Sequence, residues 1–439
     1  MGSLTGVQTS RSFSDIWMDY YNKFRGTGPF AGFYWFQRPG ILVLDISLAK
    51  LILIKEFNKF TDRGFYHNTE DDPLSGQLFL LDGQKWKSMR SKLSSTFTSA
   101  MEKSPIVEVK DILARFTTDV IGTCAFGIEC SSLKDPEAEF RVMGRRAIFE
   151  QRHGPIGIAF INSFQNLARR LHMKITLEEA EHFFLRIVRE TVAFREENNI
   201  RRNDFMDQLI DLKNSPLTKS ESGESVNLTI EEMAAQAFVF FGAGFETSST
   251  TMGFALYELA QHQDIQDRVR EECQEVIGKC NGEITYESMK DMVYLDQVIS
   301  ETLRLYTVLP VLNRECLEDY EVPGHPKYVI KKGMPVLIPC GAMHRDEKLY
   351  ANPNTFNPDN FSPERVKERD SVEWLPFGDG PRNCIGMRFG QMQARIGLAF
   401  LINKFKFSVC DQTTIPIVYS KKTFLISSET GIFLKVERV

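Results

Sequence analysis

The sequence predicts a mainly α fold, one large helical body with small β-sheets drawn from both ends of the chain. Three observations carry this. Apolar residues recur at helical spacing over most of the stretch from about residue 47 to 315. Alternating apolar runs flank it at 33–46, 328–339 and 423–436. The chain has 439 residues with no internal repeat or low-complexity tract, and 34 Phe call for a large aromatic interior. With 42% apolar and 25% charged residues, it is neither a disordered tail, a collagen-like repeat nor a disulfide miniprotein.

In chain order, a tail (1–12) precedes an amphipathic helix, Phe13–Phe24. FYWFQRPGILVLDI (33–46) reads as a hairpin turning at Arg38-Pro39-Gly40, after which Ser47 caps a helical run to about Phe60. Within it, ILVLDISLAKLILI (41–54) is 14 residues long and carries Asp45 and Lys50, which suits a strand plus a core helix, not a bilayer span. The first residues, MGSLTGVQTSRSFSD, lack the apolar core of a signal peptide. Polar breaks fall at 131–137 and 213–228. Thr229-Ile230-Glu231-Glu232 is a capping box, predicting a helix from near Ile230 to about His262, roughly 50 Å long. YVIKKGMPVLIP (328–339) and TFLISSETGIFLKV (423–436) both read as strand–turn–strand, with a helix from Ile385 to about Phe405 between them. The whole of 13–439 is expected to form one domain.

Charge and cysteines narrow the function. A net charge of -5 demotes general nucleic-acid binding. The eight cysteines (124, 130, 273, 280, 316, 340, 384, 410) contain no C-x-x-C pair, which argues against zinc and thioredoxin chemistry. Reduced thiols in a cytosol-facing protein fit best. The seven histidines match no ligand motif and read as structural or solvated.

PFGDGPRNCIGMRFG (376–390) is the most informative stretch. Gly378, Gly380 and Pro381 make a tight loop ending at Cys384, just before a helix, where the dipole and Arg382 favour thiolate. Such a sulfur is a nucleophile or a metal ligand, and a buried structural cysteine is the bland alternative. The pattern F-x-x-G-x-R-x-C-x-G decides between them. It is met at Phe377, Gly380, Arg382, Cys384 and Gly386, a coincidence of order 10⁻⁴ by average residue usage. Here the chain resembles the cytochrome P-450 family of haem-thiolate monooxygenases, from about residue 13 to the C-terminus. It is most similar to the animal microsomal branch and its insect detoxification members.

The resemblance implies roles residue by residue. Cys384 is the axial haem iron ligand. ETLR (301–304) supplies a structural Glu301–Arg304 pair, which alone would pass for a surface i,i+3 salt bridge. AGFET (243–247) matches an oxygen-binding groove, where Ala243 and Gly244 leave room above the haem. There Thr247 loosens the helix by bonding back to a carbonyl, and Glu246 with Thr247 relays protons. Close helix packing is the plainer reading of Gly242 and Gly244. Trp86 and Arg90 of WKSMR, with Arg314 and Arg382, match partners of the haem propionates. Phe377 and Gly386 complete the cofactor set.

The family likeness further implies haem b, iron protoporphyrin IX, and an apolar substrate: a xenobiotic, insecticide, hormone or other lipid. Electrons would come through NADPH-cytochrome P-450 reductase, with cytochrome b5 as a second partner. Lys85, Lys87, Lys92, Arg388 and Arg395 would dock the reductase, or be merely solvated. The expected place is the cytosolic face of the endoplasmic reticulum membrane. A shortened non-catalytic haem or lipophile binder and a haem-thiolate isomerase or dehydratase are the rivals.

Three departures stand out. The anchor helix, basic stop and Pro-rich hinge of membrane-bound relatives are not seen. After KLSSTFTSA (92–100), relatives carry an extra segment of roughly 20–25 residues, about six helical turns. Asn360 stands in FNPDNF (356–361) where many relatives have an Arg completing a triad with Glu301 and Arg304.

Overall fold

The computed structural model describes residues 11–35, 38–56, 59, 60, 62, 106–128, 130–202, 204–214, 227–279, 288–325 and 327–439. Along the chain these form α1 (Phe13–Phe24), β1 (Phe30–Trp35), β2 (Arg38–Val43) and α2 (Ile46–Lys50), which continues as a π-helical turn, Leu51–Lys55. Next come β3 (Ile106–Glu108), α3 (Val109–Ile121), α4 (Glu139–Phe149), α5 (Pro155–Ser163), α6 (Gln165–Arg170), α7 (Glu178–Asn198), α8 (Phe205–Asn214) and α9 (Ile230–Gln261). The rest is α10 (Gln263–Lys279), α11 (Val293–Leu305), β4 (Leu312–Glu315), β5 (Tyr320–Glu321), β6 (Val329–Ile330), β7 (Pro335–Ile338), α12 (Cys340–Met343), α13 (Pro363–Glu368), α14 (Met387–Lys404), β8 (Phe405–Ser408) and β9 (Phe433–Arg438). The mainly α fold with small sheets is as expected, and it is the fold of the family identified below.

Two compact units emerge. One holds the chain up to Thr61, the stretch ending at Ala114 and everything from Glu246 onward; the other holds Arg115–Phe245. In the first unit, a four-stranded sheet runs β1-β2-β7-β4 and a three-stranded one β3-β9-β8. Trp17, Phe33, Leu42, Leu53, Ile330 and Leu337 belong to the core beneath the larger sheet. In the second unit, Phe126, Phe140, Phe184 and Phe241 meet mostly edge to face, the aromatic interior the composition called for.

Local signals translate faithfully. Ser12 and Asp15 close a capping box on α1. Thr229 and Glu232 do the same for α9, with Glu232 N–H donating to Thr229 Oγ1 at 3.1 Å and Thr229 N–H to Glu232 at 3.0 Å.

Four local expectations need correction. Arg38, Pro39 and Gly40 lie inside β2, opposite Trp35, Tyr34 and Phe33. Gly40 is there for close packing, since a Cβ would stand 2.7 Å from the Phe33 ring and 2.8 Å from the Pro335 carbonyl. Asp45, not Ser47, caps α2 by accepting from Leu48 N–H at 2.9 Å. The strands of 328–339 do not pair with each other: β6 pairs with β5, and β7 lies between β2 and β4. In 423–436 only the second arm is a strand, held by β8 and β3. Alternating hydrophobicity reports burial, and partners come from far along the chain.

Candidate active site around Cys384

The cysteine loop is built by backbone geometry. Gly378 and Gly380 have φ of +67° and +71°, which glycine adopts without strain. A Cβ on Gly380 would meet the Leu53 carbonyl at 2.0 Å, so no other residue fits there. Asn383 N–H donates to Gly380 O at 3.0 Å and Cys384 N–H to Phe377 O at 2.7 Å, closing the loop. Gly386 then caps α14. Cys384 is exposed, unlike the buried Cys130, Cys273, Cys316 and Cys340. Gly386 lies beside the sulfur, the position of a Cβ there being 4.0 Å from Sγ.

Two neighbours converge on this loop. Gly378 packs against β4, 3.9 Å from the Leu312 side chain by the position its Cβ would take. Arg314 follows on the same strand. On the other side, the first turn of α14 meets α9, with Ser248 Oγ 3.8 Å from the Cβ position of Gly390. Thr247 is the preceding residue of α9. Thr247 is half-buried and Ala243, one turn earlier on the same face, is exposed, whereas Glu246 is buried. The helix stays α-helical throughout this stretch, where the Ser249 hydroxyl donates back to the Glu246 carbonyl at 3.1 Å and the Thr251 hydroxyl to the Thr247 carbonyl at 2.9 Å. Gly242 follows the plainer reading, facing Ile148 of α4, whose Cδ1 lies 3.2 Å from the Cβ position.

Two fully buried arginines differ in a telling way. Arg304 uses all five N–H donors: two on Glu301, and one each on the carbonyls of His344, Pro353 and Thr355. Glu301 also accepts from Asn357 N–H at 2.9 Å and Asn360 Nδ2 at 3.2 Å, while Asn360 Oδ1 accepts from Arg365 at 2.9 Å. So Asn360 bridges Glu301 to Arg365. His344 belongs to the same scaffold. Its Nε2 accepts from Leu375 N–H at 2.8 Å, just before the cysteine loop, and burial pushes its pKa down to about 3, keeping it neutral.

Arg314, by contrast, donates once, to the Asn313 carbonyl at 2.8 Å, and its buried Nε has no partner. Burial first, then the neighbouring guanidinium of Arg382, lowers its pKa to about 9. Two buried cations lie side by side, and among the described residues no carboxylate is bonded to Arg314, so its orphaned donor asks for an anionic ligand. Haem carries two carboxylates and an iron that takes thiolate, so Arg314, Arg382 and Cys384 fit it. Arg304→Ala should therefore cost roughly 3–5 kcal/mol in urea unfolding, since Glu301 is left buried and uncompensated. Arg314→Ala should leave the haem-free protein as stable or more so and weaken haem retention.

Of the remaining expected residues, Trp86, Arg90, Lys85, Lys87 and Lys92 lie outside the described residues. Arg395 is not an open docking charge. It grips Asp296 of α11 through both Nε and Nη2, tying α14 to α11. Arg388 is exposed. Among the described residues no helix is long and apolar enough to cross a membrane. Sequence reading missed Lys110, which pairs with Glu246 from 136 positions away and carries no motif.

Comparison with known proteins is decisive. The sequence model of the cytochrome P450 family matches residues 1–109 and 99–436. The chain belongs to the cytochrome P450 family. It is 93% identical to cytochrome P450 6a9 of Drosophila melanogaster over 462 aligned positions, covering all of this chain and 92% of that protein. It is 79% identical, with the same coverage, to the probable cytochrome P450 6a21 of that species. To cytochrome P450 6A1 of Musca domestica it is 48% identical, over all of this chain and 91% of that one. This cytochrome P450 is thus a haem-dependent monooxygenase similar to insect proteins named 6a. The 462 positions against 439 residues leave about 23 without a counterpart in this chain. The family match breaks into two pieces overlapping at 99–109, where the missing segment of 20–25 residues was expected.

Proposed function

We propose that this cytochrome P450 hydroxylates lipophilic small molecules, xenobiotics or endogenous lipids, with haem b held by Cys384, Arg314 and Arg382. The observation that carries the reading is the exposed Cys384 thiol beside two buried arginines, one of which lacks an anion for its buried Nε. Bound haem supplies the oxygen chemistry itself, one atom of dioxygen going to substrate and the other to water. The chain's own residues bind, orient and move protons. Arg314 and Arg382 neutralise the propionates, and Phe377 with Gly386 shapes the walls of the thiolate loop. Ala243 and Gly244 keep the face of α9 bare. Thr247 holds a proton at Oγ1 on that face, and Glu246 stands behind it as the acid that renews the proton. NADPH-cytochrome P450 reductase delivers the electrons, with cytochrome b5 as an alternative donor, at the cytosolic face of the endoplasmic reticulum.

Thr247→Ala should uncouple the reaction, with NADPH still consumed but peroxide released in place of product. Product and peroxide counted per NADPH check this, and unchanged coupling would reduce Thr247 to a packing residue. A shortened, non-catalytic haem or lipophile binder is the second reading, favoured by the roughly 23 missing positions. The carbon-monoxide difference spectrum of the reduced protein, followed by NADPH turnover with reductase, separates the two. An isomerase would show the same spectrum and turn over without NADPH.

A further inference from the structure

The buried acid of α9 is held by a residue from another helix. Lys110, in the first turn of α3, places Nζ on Oε1 of Glu246. Three features hold it there. Glu108 accepts from Asp111 N–H at 2.5 Å and Ile432 N–H at 2.8 Å, tying the start of α3 to the turn before β9. The lysine stem packs on α9 at Gly253, where a Cβ would lie at contact distance, 3.5 Å, from both Cβ and Cγ of Lys110. Finally, Glu246 is 1% exposed while the Lys110 side chain keeps 21%, so the lysine is the partner of the pair that reaches water. The second neighbour of Glu246 Oε1 is the Thr250 hydroxyl at 3.4 Å, on its own helix.

A buried carboxylate without a cation is strongly disfavoured, so Lys110 decides where this one sits. The pairing draws Glu246 toward α3 and off the face that Ala243 and Thr247 share. We propose that Lys110 is a positioning residue for the monooxygenase reaction: its ammonium fixes Glu246 Oε1 and connects that buried carboxylate to bulk water. The proposal rests on the reading that Glu246 and Thr247 relay protons. Proton supply at Thr247 then depends on a side chain that touches neither substrate nor cofactor.

The test uses the full haem-loaded chain with reductase, NADPH and a fluorogenic alkoxycoumarin as probe. Lys110→Met should cut product per NADPH roughly tenfold and raise peroxide to match. That is below the about 10²–10⁴ that a positioned proton-transfer group contributes, because the carboxylate itself remains. Lys110→Arg should restore most of the coupling. Infrared spectroscopy supplies a readout independent of turnover: the carboxylate band that disappears in Glu246→Gln should shift in Lys110→Met and stay in place in Lys110→Arg. If Lys110→Met fails to hold haem, Lys110→Gln keeps much of the stem without the charge and carries the same comparison. Uncoupling in Glu246→Gln and Thr247→Ala together with normal coupling in Lys110→Met overturns the role of Lys110 alone. Normal coupling in Glu246→Gln and Thr247→Ala overturns the relay reading beneath it. Equal uncoupling by Met and Arg with an unmoved band makes Lys110 a packing residue and overturns the proposal.

Discussion

Cys384→Ser should abolish the red-shifted Soret band of the reduced carbon-monoxide complex and, with it, monooxygenase turnover. Serine is close in size, and the loop that presents residue 384 is made by backbone features independent of sulfur. These are the positive φ of Gly378 and Gly380, the bond from the residue's own N–H to Phe377 O, and the contact of Gly380 with Leu53. The variant should therefore fold, and its unfolding midpoint without haem should match the parent. What it loses is the soft, electron-rich ligand that pushes density onto iron and favours O–O cleavage, which a hydroxyl does not supply. Haem can still be drawn in by Arg314 and Arg382, so binding falls less than the spectrum changes. Retention of the thiolate-type band in the serine variant would falsify the assignment and send the search to another cysteine.

Features encoded by neighbours in sequence were legible, and those set by distant partners were not. The capping box at Thr229 and Glu232 placed the start of α9 near Ile230, where it falls, because both hydrogen bonds are local. The cysteine loop was readable for the same reason: glycine spacing, Cys384 and the helix behind it lie within one short stretch. Gly40 was misread as a turn because its reason is the carbonyl of Pro335, far away in sequence. The pairing of β7 with β2 and β4 was equally hidden, since an apolar strand records that it is buried and not beside what. Glu246 shows the limit at the site itself. Its position after AGF marked it as an acid of the oxygen groove, but nothing nearby announced Lys110. The resemblance set Arg304 apart as a scaffold residue and Arg314 as a propionate partner, but only their hydrogen bonds show the first saturated and the second with a buried donor unpaired.

The largest effect on stability is expected from restoring the segment that this chain lacks. Its relatives carry about 23 more positions, and the family match breaks at 99–109. The site of the break, Thr98–Pro105, lies outside the described residues, but its downstream neighbour is described. There β3 pairs with β9, and α3 begins with Glu108 and Lys110 engaged at Ile432 and Glu246. The downstream side of the junction is thus anchored to α9. A segment of 23 residues makes about six helical turns, roughly 35 Å. Each large apolar side chain it buries contributes about 1.5–3 kcal/mol, against a total stability of only about 5–15 kcal/mol for a native domain. Two or three such side chains make the difference between a marginal fold and a robust one. The chain as it stands should therefore carry haem at well below one per molecule, even with Cys384, Arg314 and Arg382 intact. Inserting the segment of cytochrome P450 6a9 after Ala100 should raise both the melting temperature and the haem content measured by the pyridine haemochrome. Full haem occupancy and an unchanged melting temperature in the uninterrupted comparison would show that the segment adds nothing to the packed body, and that residues on either side of the junction close it unaided.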